Sequence, residues 1–97
     1  MATTLPPFNI HRKVFSDLQK IDDEVIDEVQ DEFCNFIDLI QENPYSPDLL
    51  SRSQRYRSKY AAQFYSGFVI YWKLREESPG QVTSIEILQV AKVVDLL

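Results

Sequence analysis

Six basic residues, Arg52, Arg55, Arg57, Lys59, Lys73 and Arg75, occupy a stretch from Arg52 to Arg75 that contains no acid. Fixed cations in such a run have two chemical uses: they track a phosphate backbone, or they dock a partner of opposite charge. A dense aromatic group lies among them, comprising Tyr56, Tyr60, Phe64, Tyr65, Phe68, Tyr71 and Trp72. Aromatic residues at strand spacing are mostly core, but one or two on an outer face, Tyr65 or Tyr71, are placed to stack a base or anchor a partner. Other reactive types are sparse. His11 reads as a surface residue at a strand end and Cys34 as a half-buried structural residue at the edge of a helical stripe. With one histidine and one cysteine the chain offers no His/Cys metal site. Two glycines, Gly67 and Gly80, are too few for a glycine-rich phosphate loop. No metal and no cofactor is expected.

The charge is segregated. Ten basic and fifteen acidic residues give 97 residues a net charge of −5, which would argue against nucleic-acid binding if it were spread evenly. Between Asp17 and Glu42, however, ten acids face one base, Lys20. The two halves therefore carry opposite fields. The acidic face, with Asp23, Asp27, Asp31 and Asp38, is read as a solubilising surface matched at its start to the helix dipole.

The elements that must position these residues follow from hydrophobic period. Phe8-Asn9-Ile10-His11 alternates as a short strand after an irregular lead-in over residues 1–7. Val14, Phe15, Leu18 and Ile21 fall at helical spacing. Asp22 is a good N-cap residue, flanked by Ile21 and Ile26 as a hydrophobic staple, for a second helix whose stripe is Val25, Ile26, Val29, Phe33, Phe36, Ile37 and Ile40. That helix ends near Asn43-Pro44, since proline disfavours helix at the residue before it. From Tyr56 the period becomes two. Tyr56, Ser58, Tyr60, Ala62 and Phe64 share one side of a strand, with Arg57, Lys59, Ala61 and Gln63 on the other. Ser66-Gly67 turns the chain into a strand from Phe68 to Leu74, and Ser78-Pro79-Gly80 turns it again into a strand from Thr83 to Val90. The run Ile85, Ile87, Leu88, Val90 is too continuously apolar for a half-exposed strand, which places it centrally; residues 91–97 read as a strand end or a final turn. The expected fold is α+β, in the order β-α-α-β-β-β, with two N-terminal helices on one face of a mainly antiparallel sheet and the other face open to a partner. Ninety-seven residues make one domain.

The order and its signposts resemble the RelE/ParE toxin superfamily of type II toxin–antitoxin systems. The matching residues are Phe15-Ser16-Asp17-Leu18-Gln19-Lys20-Ile21, Asn43-Pro44-Tyr45, Tyr60 to Phe64, the Gly67 turn, Val69-Ile70-Tyr71 and Ile87-Leu88-Gln89-Val90-Ala91-Lys92, covering about Phe8 to Lys92. The resemblance implies a single RelE/ParE-like domain over 1–97, a cytoplasmic toxin component that binds a cognate antitoxin and inhibits growth, and ribosome-dependent mRNA cleavage as its activity. In that chemistry cations stabilise the charge that builds as a ribose 2′-oxygen attacks the adjacent phosphate. It assigns catalytic roles to Arg57, Lys59 and Lys92, while RNA or partner binding is expected of Arg52, Arg55, Lys73 and Arg75 from the basic run and of Tyr65 and Tyr71 from the aromatic group. Departures accompany it. A further family lysine falls on Ala61, an arginine before the Val69-Ile70-Tyr71 run falls on Phe68, the arginine after Lys92 falls on Val93, and no late tyrosine follows. The missing cations leave open a non-catalytic alternative, a ParE-like binder of a DNA gyrase subunit or a degenerate relative that acts only as a protein-binding module. A small scaffold with no toxin role is the third reading, since fold alone does not fix function.

Overall fold

A computed structural model describes residues 7–46, Leu49, the backbone of 54–56, and 59–92. Its elements are β1 (Phe8–Ile10), α1 (Arg12–Gln19), α2 (Ile26–Glu42), β2 (Gln54–Tyr56), β3 (Lys59–Tyr65), β4 (Phe68–Ser78) and β5 (Gln81–Lys92). The five strands form one sheet in the order β1-β5-β4-β3-β2, antiparallel except where β1 runs parallel to β5. The expected β-α-α-β-β-β order is present, with one short strand added at the β3 edge.

That addition corrects the expected strand from Tyr56 to Phe64. Tyr56 and Lys59 are partners across an antiparallel ladder, as are Arg55 and Tyr60, so the segment is two strands. The alternation that set Arg57 on the face of Lys59 assumed one unbroken strand. Arg57 and Arg52 lie outside the described residues.

Helix α2 is made by its stripe. Val29, Phe33, Phe36, Ile37 and Ile40 are buried at helical spacing, while Asp27, Glu28, Asp31, Glu32 and Asp38 are exposed. The helix begins later than the Asp22 cap predicts. Val25 is the N-cap, without a side-chain cap bond, and the Asp22 backbone carbonyl accepts from both Val25 N and Ile26 N, at 3.1 and 3.0 Å. Asp22 thus closes the first turn through its main chain, and Ile21 stays buried beside half-buried Ile26. At the other end Asn43 caps the helix before Pro44, as expected.

The helices cover one sheet face. Ala62 and Phe64 of β3, Ile70, Trp72 and Leu74 of β4, and Ile85, Ile87 and Val90 of β5 are buried against Val14 of α1 and the α2 stripe. Rings lock the layers: Phe36 meets Trp72 edge-on at 5.5 Å, Tyr60 stacks on Trp72 at 5.5 Å, and Phe33 meets Phe64 edge-on at 5.9 Å. Such pairs add about 0.5–1.5 kcal/mol beyond the burial of their area.

The continuous apolar run in β5 has a specific cause. The β4–β5 register pairs Tyr71 with Gln89 but Trp72 with Ile87, so Leu88 is an inserted residue. This bulge moves the inward position from the series Ile85, Ile87 to Val90 without exposing any of the three. Both turns of the meander need a positive φ, supplied by Gly67 at 83° and Gly80 at 88°. The β4–β5 hairpin begins at Phe68 as expected and extends past the expected strand ends on both sides of its turn, to Ser78 and from Gln81, and through Lys92.

Where β1 stops at Ile10, the edge of β5 would be left with an unpaired amide. Asp17 of α1 fills the gap. Its Oδ2 accepts from Val90 N at 3.1 Å, while Oδ1 pairs with Lys13 Nζ at 3.3 Å. A carboxylate is suited to this role because a half-buried backbone N–H without a partner is costly.

Candidate functional site

The sheet face away from the helices is the candidate site. Burial alternates along β4, with Ile70, Trp72 and Leu74 inward, which sets Val69, Tyr71, Lys73 and Arg75 outward. The same reasoning puts Lys59, Ala61 and Gln63 of β3 outward, since Ala62 and Phe64 are buried. On β5, Ser84 and Glu86 face outward before the bulge, and Gln89 and Ala91 after it.

Cross-strand pairing arranges these side chains in rows. Tyr71 lies between Ala61 and Gln89, and Val69 between Gln63 and Ala91. Small or neutral neighbours leave Tyr71 as the central feature of a mildly apolar patch. Lys73 is paired with Glu86, and Arg75 with Ser84.

Glu86 is the charged residue of this face that reading the chain linearly missed. Its carboxylate takes Arg75 Nε at 3.1 Å on one oxygen and stands 3.7 Å from His11 Nε2 on the other. The Arg75 hydrogen bond is the main reason its pKa is lowered, outweighing the opposing effect of burial; His11 assists. Glu86 therefore stays anionic beside Lys73 and Arg75, neutralising part of the cationic run. The signal was present in the alternation of β5, where Glu86 lies between two inward isoleucines, but its neighbours become visible only once β4 is paired.

The remaining predicted residues separate. Lys59, Lys73 and Arg75 share the outer face. Tyr71 joins them. Lys92 pairs with Phe68, follows Val90 by two and so falls on the helix side of the sheet, half-buried. Tyr65 also belongs to the helix side: it packs against the core, and its hydroxyl donates to Glu28 of α2. That hydrogen bond is the chief cause of its raised pKa. Arg55 lies in β2, paired through its backbone with Tyr60. His11 is exposed at the end of β1, as expected, whereas Cys34 is exposed on α2 instead of half-buried. The helical stripe passes through Phe33, Phe36 and Ile37, and Cys34 turns outward among acids.

Tyr45, of the Asn43-Pro44-Tyr45 signpost, packs on the core. Its enclosed hydroxyl has no partner at hydrogen-bonding geometry among the described residues. Burial first, and the facing Glu76 carboxylate second, push its pKa up to about 12. It is a packing residue, fixed as a neutral phenol. Among the described residues no group of histidine, cysteine and carboxylate side chains is arranged to hold a metal, and no helix is long and apolar enough to cross a membrane.

Two helices laid over one face of this meander, with a parallel N-terminal strand at its edge, make an α+β fold of the RelE-like kind. No protein-family model and no curated protein matches the chain by sequence. By structure it is similar to a chain of the archaeal RelE–RelB complex from Pyrococcus horikoshii OT3, with a TM-score of 0.62 at 15% identity, covering 92% of this chain and 96% of that one. It is also similar to a chain of the toxin–antitoxin complex RelBE2 from Mycobacterium tuberculosis, with a TM-score of 0.55 at 13% identity, covering 92% and 99%. At these identities the likeness is one of fold.

Proposed function

We propose that this protein is the toxin-type member of a toxin–antitoxin pair, held by a cognate antitoxin and inhibitory to growth when released. The observation that carries the reading is the match of the whole layered sheet, over nearly its full length, to chains from two such complexes. The open face supports it too, because Tyr71, Lys59, Lys73 and Arg75 together make a surface that a partner can bury and neutralise.

On the catalytic form of this reading, the released face engages ribosome-bound message and Lys59, Lys73 and Arg75 hold its phosphates during cleavage. A second form, binding without cleavage, is favoured by a specific observation. Glu86 holds Arg75 and faces Lys73, while Ala61 and Phe68 occupy positions where the resemblance calls for cations. A DNA gyrase subunit is a target of that second form.

Induced expression in a bacterial host, alone and together with the product of the adjacent reading frame, tests the shared reading. Arrested growth that the neighbour relieves is the expected result, and normal growth without the neighbour contradicts it. Purified protein added to translating ribosomes, with message cleavage as the readout, then separates the two forms; a gyrase supercoiling assay checks the gyrase target.

A further inference from the structure

Resting on the toxin-type reading, we propose that the cleft between α1 and the start of α2 receives a cationic amphipathic helix of the partner protein, its aliphatic side chains seated inward and its lysines or arginines laid along the acidic rim.

The cleft holds about 380 Å³ and is lined by Phe15, Leu18, Ile21, Asp23, Ile26 and Gln30 among others. Its floor is apolar because Ile21 is buried and Leu18 and Ile26 are half-buried. Phe15 stands at its wall with 54% of its surface exposed, and only one other large hydrophobic side chain among the described residues, Phe8, is similarly open to solvent. Phe15 and Leu18 lie three residues apart on α1 and so share one edge of that helix. An aromatic side chain kept this open beside two half-covered aliphatic ones is the pattern of a surface awaiting cover.

Charge chooses the cover. Asp22, Asp23, Glu24, Asp27, Glu28, Asp31 and Glu32 follow in sequence, and no lysine, arginine or histidine occurs between Ile21 and Ser51. Asp27 lies three residues before Gln30, a cleft residue, and Asp31 lies one turn after Asp27, and both acids are exposed. A second copy packed cleft to cleft would set acid against acid, and an acidic segment would do the same; a cationic helix is attracted and steered. The secondary structure of the guest follows from backbone accounting. The cleft walls are helices, which offer no strand ladder, so an arriving segment must satisfy its own N–H and C=O groups, which a helix does. The sheet face carries the opposite sign through Lys59, Lys73 and Arg75, so the partner is itself polarised, cationic where it crosses the helices.

The test uses the whole chain and two synthetic probes of about five helical turns, one with leucine and lysine on opposite faces and one with leucine and glutamate. Amide chemical-shift mapping with the leucine–lysine peptide is expected to perturb Phe15, Leu18, Ile26 and Gln30. Phe15→Gln alone, and Asp27→Lys with Asp31→Lys, should each weaken that binding about tenfold or more, with the thermal transition unmoved, and the leucine–glutamate peptide should leave the spectrum unchanged. Perturbations centred on the sheet face, or equal binding by Phe15→Gln, overturn the proposal. The same variants are then challenged with the neighbour-encoded protein. Undiminished co-purification with Phe15→Gln overturns the cleft assignment and leaves the toxin-type reading standing. Failure of the unaltered chain to hold that protein counts against the toxin-type reading, and the peptide experiment still decides the cleft.

Discussion

The outer surface of the helices and the outer surface of the sheet acquire their charge by different routes. On α2, Asp27, Glu28, Asp31 and Glu32 are all exposed, and a helix surface displays what its sequence spells because its neighbours lie three or four residues away. On the sheet, the acid-free run ends beside an acid all the same: Glu86 comes from a later strand to hold Arg75 and face Lys73. Local charge patterns are thus reliable on helices and incomplete on strands, whose neighbours are supplied by other strands.

Four changes break or sharpen this contrast. The largest effect is expected where both surfaces share a support. Trp72→Ala removes the ring gripped by Phe36 and Tyr60 and should cost about 3–5 kcal/mol in denaturant unfolding, dissolving the distinction between the faces altogether. Asp17→Ala comes next. It strips Val90 N of its acceptor and should destabilise by about 1–3 kcal/mol; a loss confined to the low end would mean that water takes the carboxylate's place. Third, Lys59→Glu with Lys73→Glu should leave the melting temperature nearly unchanged, since both side chains face outward, yet weaken binding of the proposed antitoxin about tenfold, or about 1.4 kcal/mol. If the pair unfolds the protein, the assignment of faces is wrong.

The smallest effect belongs to Glu86→Gln. Because the folded pKa of Glu86 is lowered, its ion pairing contributes stability that is complete above the ordinary glutamate value, near 4.3, and is lost as pH falls through the lower folded value. The unaltered protein should therefore lose slightly more stability than the variant when titrated from neutrality to strong acid. At neutral pH the variant should also bind polyanions more tightly, having shed a negative charge from the face.

Much of the architecture could be read ahead of the coordinates. The α2 stripe, the Gly67 turn and the position of β5 inside the sheet all follow from period and turn chemistry. The division between β2 and β3 could not, because Tyr56, Lys59 and their neighbours alternate across the break as they would along a single strand. Nor could the role of Leu88. An inserted residue is recognised by the register of a partner strand, and the sequence merely showed an apolar run that was too long. The candidate face was half legible: the outward setting of Lys59, Lys73 and Tyr71 follows from alternation, whereas Glu86 and the helix-side placement of Lys92 depend on pairings between distant segments.

The hydrogen bond from Val90 to Asp17 turns one amide into a gauge of a remote event. The N-terminal strand contributes only three residues to the sheet, so the unit formed by β1 and α1 is attached through few main-chain contacts. Whenever α1 lifts away, Val90 N is uncovered on its outer side even while β4 and β5 stay zipped. Its deuterium uptake should accordingly outpace that of neighbouring β5 amides bonded to β4, and follow the undocking of the first helix instead of the melting of the sheet.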